Sequence, residues 1–283
     1  MLTTELANGI AMPRLGFGVF QMDDHTRCEE AVVSALTCGY RLLDTAAAYE
    51  NEVAVGRAIH RSGVAREEIF LTTKLWVQDY GYESTKQAFY RSLERLQTDY
   101  LDLYLIHQPY SDIYGSWRAM EDLYREGVIK AIGVSNFSSA QLADLITFNR
   151  IAPMVNQVET HPFCQQWQAA DFMQQHNIAI EAWAPFAEGK NDIFTQPLLA
   201  SLAERYQKSV AQIILRWLLQ RNVVVIPKSV NPQRIAENFA VFDFSLTEQD
   251  MATIATLDLG KPLIANHADP ERIAFIGTRR FAT

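Results

Sequence analysis

The sequence predicts a (β/α)8 TIM barrel, an α/β fold, with an N-terminal β-hairpin and a short C-terminal tail. Three observations carry this. Eight short apolar runs suit buried strands, and helix-like segments lie between them. The chain's 283 residues, 48% of them hydrophobic, suffice for one barrel core, since such barrels take about 250 residues. An open doubly wound sheet is the competing architecture. No repeat, low-complexity tract or flexible linker interrupts the chain, so residues 1–283 are expected to form a single barrel domain.

The elements follow in order. ELANGIAMPRL carries Asn8-Gly9, a hairpin turn signal, ahead of the first barrel strand. The strand runs are RLGFGVF near Phe17, YRLLDTA at Tyr40, EIFLTTKL at Glu68 and LDLYLIH at Leu101. IKAIGVSN at Ile129, MVNQVETH at Met154, IAIEAWAP at Ile178 and VVVIPKS at Val223 complete the eight. They are continuously apolar rather than alternating, as strands covered on both faces are. Among the helices, TRCEEAVVSALTCG stops on Gly39, and STKQAFYRSLERLQTD starts on Ser84. SSAQLADLITFN starts on Ser138 or Ser139, and SVAQIILRWLLQRN on Ser209. The tail from Gly260 is neither repetitive nor clearly helical, and is expected to fold as a loop over one barrel end.

Charge and composition exclude several partners. A net charge of −8, from 33 acids against 25 bases, disfavours nucleic acid. No apolar run reaches the roughly 20 residues of a membrane span. The N-terminus lacks the basic start and apolar stretch of a secretion signal. Cys28, Cys38 and Cys164 are odd in number, widely spaced and free of CxxC. They read as reduced thiols in a cytoplasmic enzyme, with neither a disulfide framework nor a metal site.

In such a barrel the chemistry sits where the strands end. Asp44 ends the second strand, with Tyr49 in the loop beyond it. Lys74 ends the third and His107 the fourth. Ser135 and Asn136 end the fifth, Gln157 and Glu159 the sixth, Trp183 the seventh, and Lys228 and Ser229 the eighth. Asp44 and Lys74 stand on adjacent strands and can pair, which offsets much of the cost of burying a lysine. A free phenol has a pKa of about 10, and an ammonium beside Tyr49 favours the phenolate. His107 can hold a substrate oxygen against Tyr49. This group delivers a proton to an oxygen becoming an alkoxide. The matching reaction is hydride transfer to a carbonyl, which requires a nicotinamide cofactor because no side chain supplies hydride.

From end to end the chain resembles an aldo-keto reductase and is similar to the bacterial 2,5-diketo-gluconate reductases. LDTAAAYENE, LTTKLW, LIHQP, GVSNF, NQVE and IPKSVNPQRIAEN stand in that family's order and spacing. The early GFGVF lacks the third glycine of a dinucleotide fingerprint and belongs to the first strand. The resemblance implies a monomeric or loosely associated barrel, at most a weak homodimer, that binds NADPH without a Rossmann fold. It makes Tyr49 the proton donor, Lys74 and Asp44 its tuning pair, and His107 the substrate-orienting group. Ser135, Asn136 and Gln157 would bind the nicotinamide carboxamide, with Trp183 stacked on the ring where tyrosine is commoner. Gly18, Val19, Phe20 and Asp44 would face the cofactor, as would Ala184, Pro185 and Phe186. Ala184 lacks the hydroxyl that often meets the pyrophosphate, which leaves that contact to backbone amides. Lys228, Ser229 and Arg234 would hold the adenosine 2′-phosphate and favour NADPH over NADH, with Val230 also facing the cofactor. Glu237 and Asn238 match the adenine contacts. Phe20, Trp76, His107, Tyr110 and Phe163 would line the substrate pocket, and the short tail suggests an open one. The implied function is NADPH-dependent reduction of aldehydes and small ketones, including sugar-derived and methylglyoxal-like dicarbonyls. Two other readings remain: a Schiff-base aldolase with Lys74 as nucleophile, and an NADPH-binding, redox-sensing regulatory subunit with little turnover.

Overall fold

Short apolar strands cannot stand alone, and in this chain they pair side by side until the first meets the last. The computed structural model describes residues 2–283. β1 (Thr3–Glu5) and β2 (Ala11–Pro13) form the antiparallel hairpin. Its turn is made by Gly9 at φ 84°, a left-handed conformation that glycine adopts at no steric cost. The barrel strands are β3 (Phe17–Gly18), β4 (Leu42–Asp44), β5 (Phe70–Leu75), β6 (Leu103–Ile106), β7 (Ile132–Ser135), β8 (Val155–Glu159), β9 (Ala179–Trp183) and β10 (Val224–Val225). They pair in parallel and in chain order. The seam closes through a parallel bridge of Leu15 to Val225, with Gly16 N donating to Val225 O at 2.8 Å and Gly18 N to Pro227 O at 3.1 Å. The open-sheet alternative is thereby excluded.

The helices are α1 (His25–Cys38), α2 (Glu52–Ser62), α3 (Tyr82–Leu96), α4 (Ile113–Arg125), α5 (Ser139–Phe148) and α6 (Trp167–Gln175). They continue with α7 (Pro197–Tyr206), α8 (Val210–Gln220), α9 (Pro232–Phe239), α10 (Glu248–Ala255) and α11 (Pro270–Thr278). Gly39 ends α1 at φ 108°, and Ser138 and Ser209 cap α5 and α8 with full capping boxes. Three expectations need correction. α3 begins at Tyr82 rather than Ser84, because Gly81 at φ 118° turns the chain into the helix two residues earlier. Ser84 lies inside the first turn and donates to Tyr80 O. β10 stops at Val225, so Lys228 and Ser229 lie past its end; Pro227, which has no N–H to continue a ladder, intervenes. The tail is not all loop. Asp269 accepts from Glu271 N at 3.0 Å and Pro270 starts α11, a cap and a first-turn proline that together nucleate a helix.

Successive side chains of a strand point to opposite faces, and that alternation sorts the barrel. Leu42, Phe70, Leu103, Leu105, Val155 and Val224 pack inside with Leu6 and Met12 of the hairpin, which plugs the N-terminal end. Leu43, Leu71, Tyr104 and Ile106 point outward to a layer shared with Trp117 and Trp217 on the helices. Counting by twos along the inward set reaches Asp44, Lys74, Ser135, Gln157, Glu181 and Trp183. The bottom of the barrel is therefore apolar and its top is polar.

Candidate active site

The polar residues at the C-terminal end converge on one ammonium. Lys74 Nζ donates to Asp44 Oδ1 at 2.5 Å, to the Thr45 carbonyl at 3.0 Å and to Tyr49 Oη at 3.2 Å. All three of its N–H bonds are thus directed. Lys74 is fully buried and Asp44 is 2% exposed. Burial opposes the lysine's charge, but Asp44 and Tyr49 prevail and hold the ammonium above the usual lysine range. A lysine held charged in this way is a poor Schiff-base nucleophile.

Tyr49 reaches this position through a short 3-10 turn, Ala47–Tyr49, that leaves β4 directly. Ala46 and Ala47 are buried beneath it, where larger side chains would push the turn outward. Asn51 fastens the turn. It donates to Val19 O at 2.9 Å and accepts from Thr45 Oγ1 at 2.9 Å. Burial raises the Tyr49 phenol above its ordinary value, and Lys74 offsets only part of that rise. The net direction is upward, so the lysine limits the rise that burial causes rather than making the phenol acidic in absolute terms.

His107 follows β6 and lies edge-on to Tyr49, with ring centroids 5.7 Å apart, and edge-on to Trp76 at 5.0 Å. Burial first, then the charge of Lys74, pushes its imidazole well below the usual histidine range, so the ring is neutral near pH 7. Its Nδ1 is buried without a partner.

The residues matched to the nicotinamide amide form a linked set. Ser135 Oγ donates to Gln157 O at 2.8 Å. Asn136, at φ 68°, donates to His107 O at 3.0 Å and accepts from Trp183 Nε1 at 2.8 Å. Gln157 Nε2 donates to Asp44 Oδ2 at 2.8 Å and to Glu181 Oε2 at 2.9 Å. Both amide hydrogens are committed, and the Gln157 oxygen is left as an acceptor. Trp183 is half-buried, with His267 edge-on at 6.5 Å.

The outer residues form a rim. Gly18 belongs to the barrel seam, where an added Cβ would lie 2.9 Å from Ile226 O. Val19 is buried, while Phe20 is 49% exposed and leans on Tyr49 at 5.0 Å. Ala184 adopts φ 49°, Pro185 is buried, and Phe186 packs on Phe194 at 5.6 Å. Lys228, Val230, Arg234 and Glu237 are exposed, and Asn238 is buried. Neither Lys228 nor Arg234 has an acidic partner among the described residues. Ser229 Oγ accepts from Asn231 N at 3.1 Å, next to the start of α9. Two free cations beside a helix N-terminus fit a phosphate.

Residues 14–259 match the sequence model of the Aldo/keto reductase family. The chain belongs to that family. Glyoxal reductase of Bacillus subtilis is 50% identical over 257 residues, covering 90% of this chain and 92% of that protein. Methylglyoxal reductase of Yersinia pestis is 47% identical over 270 residues, covering 94% and 95%. The aldo-keto reductase of Bombyx mori, solved in complex with NADP, is 35% identical with a TM-score of 0.88, covering 93% and 95%. This aldo-keto reductase is therefore an oxidoreductase acting on carbonyls, of the bacterial 2,5-diketo-gluconate reductase-like branch. No described helix is long and apolar enough to cross a membrane.

Sequence reasoning missed several residues of this reductase site. Asn51, Glu181 and His267 had no assigned part, and Glu159 was noted only as a strand end. Glu181 had a signal, an acid inside the apolar run IAIEAW, since unpaired acids are almost never buried. His267 had none. It comes from the tail, and its carbonyl accepts from Tyr110 Oη at 3.0 Å. The substrate-side aromatics divide. Trp76 lies edge-on to His107, Phe20 leans on Tyr49 and Tyr110 donates to the His267 carbonyl, whereas Phe163 is 6% exposed, its carbonyl accepting from Leu259 N. The tail is short but not loose. Its Arg279 carbonyl accepts from Trp76 Nε1 at 3.3 Å, and Phe281 exchanges two hydrogen bonds with Gln78 at 2.9 and 3.0 Å.

Proposed function

We propose that the protein is an NADPH-dependent reductase of aldehydes and small ketones, with dicarbonyls such as methylglyoxal and 2,5-diketo-D-gluconate among its substrates and Tyr49 as proton donor. The observation that carries this reading is the double contact of Lys74 with Asp44 at 2.5 Å and Tyr49 at 3.2 Å. Burial keeps the phenol protonated through neutral pH, so it has a proton to give. When the proton leaves, the ammonium beside the oxygen stabilises the phenolate that remains. The neutral imidazole of His107 can donate to a carbonyl oxygen and hold it against the phenol. A nicotinamide bound at the barrel mouth supplies the hydride. NADPH is favoured by the unpaired Lys228 and Arg234 and by the solved relative in complex with NADP. The dicarbonyl class is supported by relatives named glyoxal and methylglyoxal reductase.

Tyr49→Phe is expected to lower kcat for methylglyoxal by about 10²-fold or more, the usual worth of a positioned acid, with NADPH affinity nearly unchanged. Retention of more than about a tenth of the rate refutes the donor assignment. Lys228→Ala with Arg234→Ala is expected to weaken NADPH by about 10²-fold and NADH little, since charge-assisted bonds to the 2′-phosphate are lost. Equal weakening of both cofactors, measured by fluorescence titration, removes these residues from the phosphate site.

A further inference from the structure

β9 places an acid in the barrel interior that the chemistry above does not use. Glu181 is fully buried. In register it lies between Gln157 on β8 and Val224 on β10, neither of which carries charge. Its Oε2 accepts from the same Gln157 nitrogen that donates to Asp44. Its Oε1 is buried with no partner among the described residues. The charged groups that face it are Asp44 from β4 and Lys74 from β5, with the Tyr49 phenol beyond them. Lys74 has no N–H left, because its three are directed at Asp44, Thr45 and Tyr49. Two carboxyls bridged by one amide, with one ammonium between them, do not both ionise cheaply in a dry interior. Asp44 holds the ammonium, so the proton falls to Glu181. Burial and then the charge of Asp44 push the Glu181 carboxyl up to about 8.

We propose that Glu181 is a positioning residue for the Asp44–Lys74–Tyr49 unit: it holds the Gln157 amide while neutral, and its ionisation slows proton donation by adding a second negative charge beside Lys74. The inference rests on Tyr49 being the donor. A neutral Glu181 turns both hydrogens of Gln157 inward and leaves its oxygen for the cofactor side. An ionised Glu181 disfavours the phenolate that proton donation creates. Reduction therefore slows across the window in which Glu181 loses its proton, while the Tyr49 phenol, raised by its own burial, still holds its proton.

Glu181→Gln tests this, because it is nearly isosteric, still offers an oxygen to Gln157 and cannot ionise. The infrared difference spectrum, wild type minus Glu181→Gln, is expected to show a protonated carboxyl at neutral pH that disappears around pH 8. The wild-type kcat for methylglyoxal is expected to fall through the same window by about 3- to 10-fold, up to the tenfold that one pKa unit represents. Glu181→Gln loses that fall, and Glu181→Asp, which can ionise, restores it. A difference spectrum without an acid band at neutral pH overturns the proposal, as does a Glu181→Gln curve that keeps the wild-type fall. Tyr49→Phe run alongside separates the two readings. Retained turnover there overturns the donor assignment, whereas lost turnover with an unchanged Glu181→Gln curve overturns only the role of Glu181.

Discussion

At the scale of single residues, the Asp44–Lys74 pair dominates. A buried ion pair adds little net stability over an apolar pair, yet removing one partner strands the other charge. Asp44→Ala is expected to cost about 3–5 kcal/mol, read from urea unfolding. Asp44→Leu with Lys74→Met leaves no stranded charge and is expected to regain most of that stability without regaining turnover. A double variant as unstable as Asp44→Ala contradicts this account. The sequence made this pair visible, because an acid and a base each ended an apolar run on adjacent strands. It did not reveal that Tyr49's burial outweighs the help of Lys74, which depends on the elements packed around the phenol.

At the scale of elements, the strands and most boundaries were legible because apolar runs, Gly39, Ser138, Ser209 and the Asn8-Gly9 turn are local signals. The start of α3 was not, since Ser84 is an equally good local cap and only the backbone at Gly81 decides between them. Inward alternation on β7 puts Gly133 inside the barrel between β6 and β8, where space is short. A Cβ added there would lie 2.6 Å from Val155 O and 2.8 Å from Leu105 Cδ2. Gly133→Ala is expected to destabilise the barrel by about 1–3 kcal/mol, the range for overpacking. A thermal midpoint equal to that of the wild type is the result that counts against it.

At the scale of the whole molecule, a carboxylate on β8 binds the start of the tail to the barrel. Glu159 at the end of β8 accepts from the backbone N–H groups of Leu263, Ile264 and Ala265 at 2.7, 3.0 and 3.0 Å, and from His161 Nε2 at 3.1 Å. Burial works against its charge, but these donors prevail and hold the carboxyl below its usual range. Its folded pKa is depressed, so its contribution is present above the ordinary glutamate pKa of about 4.3. That contribution is lost as pH falls below this value. Glu159→Ala is expected to raise hydrogen exchange at Leu263–Ala265 and to flatten the acid limb of stability. Unchanged exchange at those amides rules out the anchoring role.

The sequence by itself determined the strand count and the polar residues that gather at or just past most strand ends. Each of those is a local pattern of side-chain size, polarity and turn chemistry. Only the tertiary structure decided how the ring closes at Leu15 and Val225, how the tail crosses to Trp76 and Gln78, and which charges share a space. Asp44 and Glu181 are far apart in the chain, and one amide on a third strand joins them. Charge balance in a buried cluster depends on distances across the barrel, which no local pattern encodes.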